Sequence, residues 1–578
     1  MSRHADPVAP TTEGVRHDDD SVEPKRHWVR WVGLILAPTL AMLVWLAVPA
    51  EYRVESRQAD HGVVVMGPAG RVVAAVGVCM TVLWVTEALP IPATALLPLV
   101  LFPLLTGNAP RSSAPGGWLT DWGLAPWGVE TTRGTFLASG EFRFSSLPDY
   151  GDRINMVEAA KPYADPIIFL FMGGFMIALA MERWGLHRRI ALRIMLLVGT
   201  KPSSLVAGFM IASALLSMWV SNTATVVMML PIALSVIALV RRELAATGQS
   251  IPTGRGGQFN FAVCLLLGTA YAASIGGVGT LIGSPPNALM AGYLRSQNVD
   301  ISFAKWMLIG VPFVVAFIPL AWATLTRYAF PIRIKEIPGG RALIRRELEA
   351  QGRVSFAESV VLIVFVLTAG LWITRPWLEK IAVGDSNWMP FVGLNDSVIA
   401  IAAALVLFAV PINLKRGVFL LTWEQAARLP WGTLILFGGG LSLASAVQSS
   451  GLANYIGFSL QALRWMDTAA LVLCVIVLLV FLTELTSNTA TIATFLPILA
   501  AVAIGTGRFP PVLIVPATIS VSLAFMMPVA TPPNAIVFAS GEVTIAQMCR
   551  AGFVLNLIGI VLVFLLTWLD VLPLLLPK

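Results

Sequence analysis

Two tripeptides of identical composition, Ser221-Asn222-Thr223 and Ser487-Asn488-Thr489, place a hydroxyl, an amide and a second hydroxyl on consecutive residues in apolar surroundings. Further along the chain each is followed by a proline pair and an asparagine, Ser284-Pro285-Pro286-Asn287 after the first and Thr531-Pro532-Pro533-Asn534 after the second, and the prolines, which remove backbone donors, are expected to stop a helix inside the membrane. Hydroxyl, amide and freed carbonyl oxygens suit a hard cation such as Na+, while amide NH2 groups and helix N-termini suit an anion. Ser217 lies one turn before Ser221, and Thr483 stands in the same relation to Ser487, so a further hydroxyl faces each tripeptide and is assigned to cation ligation. Gly283 and Ala530, just ahead of the Ser/Thr-Pro-Pro-Asn turns, offer carbonyls under little steric cover. Asn222 and Asn488 can turn oxygen to a cation and nitrogen to a carboxylate. A lone Ser or Thr in a membrane helix bonds back to its own chain and a lone Pro-Pro is a kink, but the paired recurrence of both favours binding. Glu87, Glu182 with Arg183, and Glu484 read instead as structural polar groups or helix-end charges.

The recurrence extends beyond the motifs. At an offset of 266 residues Gly173, Gly174, Ala178, Ala180, Gly185 and Leu186 match Gly439, Gly440, Ala444, Ala446, Gly451 and Leu452, and Leu230-Pro231-Ile232 matches Leu496-Pro497-Ile498. The Pro-Pro-Asn motifs are 247 apart, and the polar loop 241–260 of the first half accounts for the difference. An odd number of crossings between equivalent elements makes the repeats antiparallel, an arrangement that builds one site from two half-sites.

Such motifs need elements that hold them in a bilayer. Mean hydropathy of +0.78 with 12% charged residues requires lipid as the solvent for most of the 578 residues. Apolar segments of helix-spanning length predict an all-α membrane protein of about eleven transmembrane helices, with two longer apolar blocks, 203–240 and 458–505, read as re-entrant hairpins carrying the tripeptides at their tips. With the N-terminus cytosolic, segments 1–30, 183–201, 241–257, 327–353 and 413–430 hold most of the 39 Lys and Arg residues, which satisfies the positive-inside rule and explains the net charge of +7 without a nucleic-acid partner. The expected organisation is a cytosolic polar tail (1–30), scaffold helices (31–202) with an external insertion (107–163), a first transport half (203–330), a central cytosolic loop with further scaffold helices (331–457), and a second transport half (458–578). The first apolar run reads as a retained helix, since no convincing cleavage site follows it. Four cysteines without metal or disulfide spacing are expected to pack, and five histidines in tails, loops and helix ends disfavour a proton relay. No HExxH, GxSxG or Walker-type loop is present, so an enzyme is not expected.

From Trp31 to its C-terminus the chain resembles the divalent anion/sodium symporters, which include sodium-dicarboxylate, sodium-citrate and sodium-sulfate carriers. The likeness is carried by Thr86-Glu87-Ala88-Leu89-Pro90, both Ser-Asn-Thr motifs, Gly279-Thr280-Leu281-Ile282-Gly283-Ser284-Pro285-Pro286-Asn287, and Met527-Pro528-Val529-Ala530-Thr531-Pro532-Pro533-Asn534. The resemblance implies a bacterial inner-membrane homodimer, each protomer with an immobile scaffold and a transport domain moving as an elevator. It implies one sodium site at Ser217, Ser221, Asn222 and Gly283, a second at Thr483, Asn488 and Ala530, and substrate carboxylates held by Asn222, Thr223, Ser284, Ser487, Asn488, Thr489 and Thr531. Sodium-coupled symport of C4-dicarboxylates such as succinate is the function it points to. A sodium-independent dicarboxylate exchanger, or a sulfate or citrate carrier of the same fold, would use the same oxygens and stays open at this point. The insertion at 107–163 departs from the family pattern.

Overall fold

A computed structural model describes residues 27–571 and 574, apart from 57–58, 107–133, 137–141, 145–152, 200, 247–258, 335–339, 382–388, 392 and 572–573. Among the described residues ten helices are long and apolar enough to cross a membrane, joined by shorter apolar helices, so the expected all-α membrane fold is what is found. Strands occur among the described residues only as short antiparallel pairs, such as Tyr52–Ser56 with Ala59–Met66. The helices used below are α1 (His27–Ala47), α2 (Pro68–Thr86), α3 (Leu97–Thr106), α4 (Pro166–Arg183), α5 (Leu186–Val198), α6 (Pro202–Ser217), α7 (Asn222–Ala246), α8 (Asn260–Gly277), α9 (Pro285–Ser296), α10 (Phe303–Ala323), α11 (Phe356–Leu378), α12 (Asp396–Ala409), α13 (Trp431–Ser449), α14 (Thr468–Leu482), α15 (Asn488–Gly505), α16 (Pro511–Ser520), α17 (Pro532–Ala539) and α18 (Ile545–Leu566).

Both long apolar blocks are broken where the tripeptides stand. The first block is α6, a tip, then α7 beginning at Asn222; the second is α14, a tip, then α15 beginning at Asn488. One expectation needs correcting: the proline pairs do not stop the helices that precede them. Helix α8 ends at Gly277, the chain runs unwound to Ser284, and Pro285 and Pro286 open α9; Pro532 and Pro533 open α17 in the same way. Proline fits the first helical turn because that turn has no use for its missing N–H.

The two halves pack by the same scheme. Helix α6 lies on α8 as α14 lies on α16, and α10 lies on α6 and α8 as α18 lies on α14 and α16. The halves also interlock, since α7 packs on α17 while α15 packs on α9. Around this unit, α4 pairs with α12 through Gly173, whose Cβ would sit 2.6 Å from the Ala400 carbonyl, and α1 pairs with α2.

Where α9 gives way to α10, residues of the first half are clasped by α4, α11, α12 and α13. Arg295 meets Asp165 at 2.5 Å, Gln297 donates to Gln448 Oε1 at 2.6 Å, and the Phe303 amide donates to Asp396 Oδ2 at 2.9 Å. Arg375 pairs with the same Asp396 at 2.9 Å. Trp219 at the first tip stacks on Phe303 (5.9 Å between ring centroids), which stacks on Trp372 of α11 (4.5 Å).

Most of the insertion, including Trp118, Trp122 and Trp127, lies outside the described residues, as does the tail up to residue 26. Its last stretch is ordered by Asn155, which caps the short helix Met156–Ala160 in a reciprocal pair with Glu158, and by Tyr163, whose hydroxyl donates to the Ala95 carbonyl.

Candidate functional site

Four helices of the interlocked unit start at the predicted motifs: α7 at Asn222, α15 at Asn488, α9 after Ser284 and α17 after Thr531. Each presents free backbone N–H groups and the positive end of a helix dipole. Each also has a small polar residue in front of it. Ser221 caps α7, accepting from the Ala224 amide at 3.2 Å, and Thr531 accepts from the Asn534 amide at 3.4 Å. Ser284 and Ser487 hold the equivalent positions without spending their hydroxyls on the cap. Thr223 is exposed and Asn222, Ser487, Asn488 and Thr489 are half-buried, so the tips carry reachable polar groups.

Ser217, Asn222 and Gly283 come together in the first half. The side-chain amide of Asn222 satisfies its surroundings with its nitrogen inward, and turns its oxygen to them only at the cost of facing other acceptors. With oxygen inward, Oδ1 lies 2.5 Å from Ser217 Oγ. With nitrogen inward, the amide donates to Ser217 Oγ at 2.5 Å and to the carbonyls of Ala273 and Gly283, each at 3.2 Å. The oxygen-inward form therefore gathers four oxygens with one hydroxyl proton among them, a set that a hard cation satisfies and that is repulsive without one. Glycine is required here. A Cβ at Gly277 would sit 2.6 Å from Asn222 Oδ1 and 3.0 Å from Gly283 O, and a Cβ at Gly283 would sit 2.6 Å from Gly277 O and 3.0 Å from Ser217 O.

The second half repeats the contact at the same offset of 266 residues. Thr483 Oγ1 stands 2.7 Å from Asn488 Oδ1 and 2.9 Å from the Val521 carbonyl, either of which can take its single proton. Ala530 occupies the register of Gly283 in the second loop and is buried. The donor set in both halves is hydroxyl, amide and carbonyl oxygen, which fits Na+; no Lys, Arg or His belongs to it.

Sequence reasoning missed the carbonyls of Ala273 and Val521, which carry no side-chain signature, and Gly277, whose need shows only when two loops touch. It also placed Glu484 among structural groups without seeing what it does. Glu484 is 4% exposed and accepts from the amides of Phe525 (2.7 Å), Met526 (3.0 Å to each oxygen) and Met527 (3.1 Å), and from Asn556 Nδ2 (2.7 Å). It thus joins the second tip to the unwound loop after α16. Its counterpart at the first tip is Met218, whose carbonyl accepts from the Thr280 hydroxyl; that hydroxyl in turn accepts from the Gly283 amide at 3.1 Å. The position just after Ser217 or Thr483 therefore ties tip to loop in both halves, by a carboxylate in one and a backbone carbonyl in the other.

Comparison with known proteins agrees with the motifs. The family model described as the sodium:sulfate symporter transmembrane region matches residues 59–575. A sodium-dependent dicarboxylate transporter, SdcS, of Staphylococcus saprophyticus is 39% identical over 546 residues, covering 94% of this chain and 92% of its own. SdcS of Staphylococcus aureus (strain bovine RF122) is 37% identical over 540 residues, covering 93% and 90%. Solved structures are more remote: the YdaH transporter of Alcanivorax borkumensis (16% identity, TM-score 0.46, 71% of this chain and 86% of that one) and MtrF of Neisseria gonorrhoeae (12%, 0.48, 84% and 95%). With the family model spanning nearly the whole chain and relatives similar from end to end, this integral membrane protein belongs to the sodium:sulfate symporter family, the divalent anion/sodium symporters.

Proposed function

We propose that the protein is a secondary active transporter that carries a small dianion, a C4-dicarboxylate such as succinate, together with Na+ across a bacterial inner membrane in which its N-terminus is cytosolic. The observation that carries this reading is the twofold oxygen cluster, Ser217–Asn222–Gly283 and Thr483–Asn488, built without a fixed cation. A doubly charged ligand taken out of water into this neutral site would cost several kcal/mol per charge unless Na+ entered with it, and that dependence is the coupling. The names of the relatives, sodium-dependent dicarboxylate transporters, support both cargo and ion.

In this mechanism Na+ binds first. It draws the Asn222 and Asn488 oxygens inward, and the amide nitrogens then face outward to the substrate carboxylates together with the hydroxyls of Thr223, Ser284, Ser487, Thr489 and Thr531 and the four helix N-termini. The α6–α10 and α14–α18 unit then moves as an elevator against a scaffold of α1–α5 and α11–α13, within a homodimer. Inverted half-sites explain why one bound dianion can be closed off from either side.

Uptake of labelled succinate, citrate and sulfate into proteoliposomes tests the reading. An inward sodium gradient should drive succinate uptake into vesicles containing no substrate. Sodium-independent uptake, or uptake that requires a dicarboxylate inside, would overturn symport in favour of exchange; preference for sulfate or citrate would correct the cargo.

A further inference from the structure

In both halves the asparagine after the proline pair turns its side chain back onto the unwound loop that precedes it. Asn287 Nδ2 donates to the Gly277 carbonyl at 3.0 Å and the Thr280 carbonyl at 2.8 Å. Asn534 Nδ2 donates to the Ala524 carbonyl at 3.0 Å and the Met527 carbonyl at 3.1 Å. Gly277 and Ala524, and Thr280 and Met527, are separated by the same 247 residues as the asparagines, so one bracket is built twice. Both asparagines are 0% exposed, and the Oδ1 of each lacks a partner. The loops therefore use the donor half of the amide, the half that aspartate lacks.

What the brackets hold is the wall of each oxygen cluster. In the first half, the Gly277 carbonyl is the atom that a Cβ on Gly283 would strike, and a Cβ on Gly277 would in turn strike the Asn222 amide. Fixing that carbonyl fixes where the Gly283 carbonyl and Asn222 can meet. In the second half the bracketed Met527 is also held through its amide by Glu484, the neighbour of Thr483, whose hydroxyl meets Asn488. An unwound loop in a membrane interior has no water to satisfy its carbonyls, and each unpaired one is costly, so the amide both stabilises the break and sets its shape.

We infer that Asn287 and Asn534 are paired positioning residues that set the spacing of the oxygens in the two cation half-sites without touching the cation; this rests on the sodium-coupled reading above. Substitution by aspartate keeps the shape but turns a carboxyl oxygen toward two carbonyl oxygens, and substitution by serine leaves a donor too short to reach both.

The test is the melting temperature of the purified full-length protein in detergent, titrated with NaCl at constant ionic strength against choline chloride. It is run on wild type, on N287D and N534D, and on N287S and N534S in case the buried acid prevents folding. In each variant the sodium concentration giving half of the maximal stabilisation should rise by about tenfold or more, as expected for losing two buried hydrogen bonds that shape the site. A purely structural asparagine would lower the melting temperature equally in sodium and choline and leave that midpoint unchanged, and this result would overturn the positioning role alone. A wild type that gains no stability from sodium over choline would overturn the sodium reading, and the positioning role with it.

Discussion

The amide of Asn222 is the smallest unit on which the proposed coupling turns. It meets Ser217 Oγ and two carbonyls with either end inward, so the same side chain can hold a cation with its oxygen or, lacking one, satisfy those carbonyls with its nitrogen. Asn222→Ala is expected to abolish succinate uptake and to weaken both sodium and succinate binding by about tenfold or more, because the Ala273 and Gly283 carbonyls lose their donor and the cluster loses its central ligand together. Sodium-dependent stabilisation and succinate affinity at wild-type values would refute the assignment. Thr483 plays the matching part in the second half, bonding Asn488 and Val521. Thr483→Ala should lower the cooperativity of sodium activation while leaving a weaker dependence through Ser217, read as a fall in the Hill coefficient of uptake. These residue types were visible in the sequence because hydroxyls and amides stand out in an apolar stretch. Their backbone partners were not, since every residue type carries the same carbonyl.

Unwound loops between helices set the positions of those side chains, and besides the shared asparagine bracket each loop is tied to its tip by a different device in the two halves. After α16 the loop hangs on Glu484, whose carboxylate collects three consecutive backbone amides and Asn556. Glu484→Gln keeps the volume but replaces one acceptor oxygen by a donor facing other donors. Loss of charge-assisted hydrogen bonds of roughly 1.5–3 kcal/mol each should lower stability by about 3 kcal/mol. Thermal unfolding in detergent measures this, and a melting temperature equal to wild type would mean that packing alone holds the loop. Proline motifs announced these loops in the sequence, but their sense was misread: the prolines open α9 and α17, because the residue that must do without an N–H bond is best placed in a first turn. A buried ion pair also ties elements together, Arg189 of α5 with Glu358 of α11 at 2.9 Å, with Arg189 donating further to the Gly352 carbonyl.

Across the whole molecule, the α9–α10 connection is where the proposed moving unit is clasped by its surroundings, through Arg295–Asp165, Gln297–Gln448 and the Phe303 amide on Asp396. The Arg295–Asp165 and Gln297–Gln448 contacts, open to solvent, contribute about 1 kcal/mol or less apiece, weak enough for a joint that the proposed movement would open, whereas the Phe303–Asp396 bond is buried. If the unit slides as an elevator, covalent closure of the joint must stop it. Oxidation of Gln297→Cys/Gln448→Cys in a background freed of the four native cysteines is expected to arrest uptake, and reduction to restore it. Full uptake by the cross-linked protein would exclude movement at this joint.

The sequence by itself determined the class of the molecule, the two tips, the two breaks and their pairing at offsets of 266 and 247 residues. All of these are local facts about where polarity or proline interrupts an apolar helix, and water-free surroundings make such interruptions expensive enough to carry meaning. Tertiary structure alone decided which oxygens face one another. Ala273 and Val521 enter the clusters through the packing of α6 on α8 and of α14 on α16, Gly277 is confined by the contact of two loops, and Glu484 finds its backbone donors about forty residues away. Such partners follow from the meeting of surfaces remote in the chain, where a backbone carbonyl or a missing Cβ does the binding and no residue type betrays it in advance.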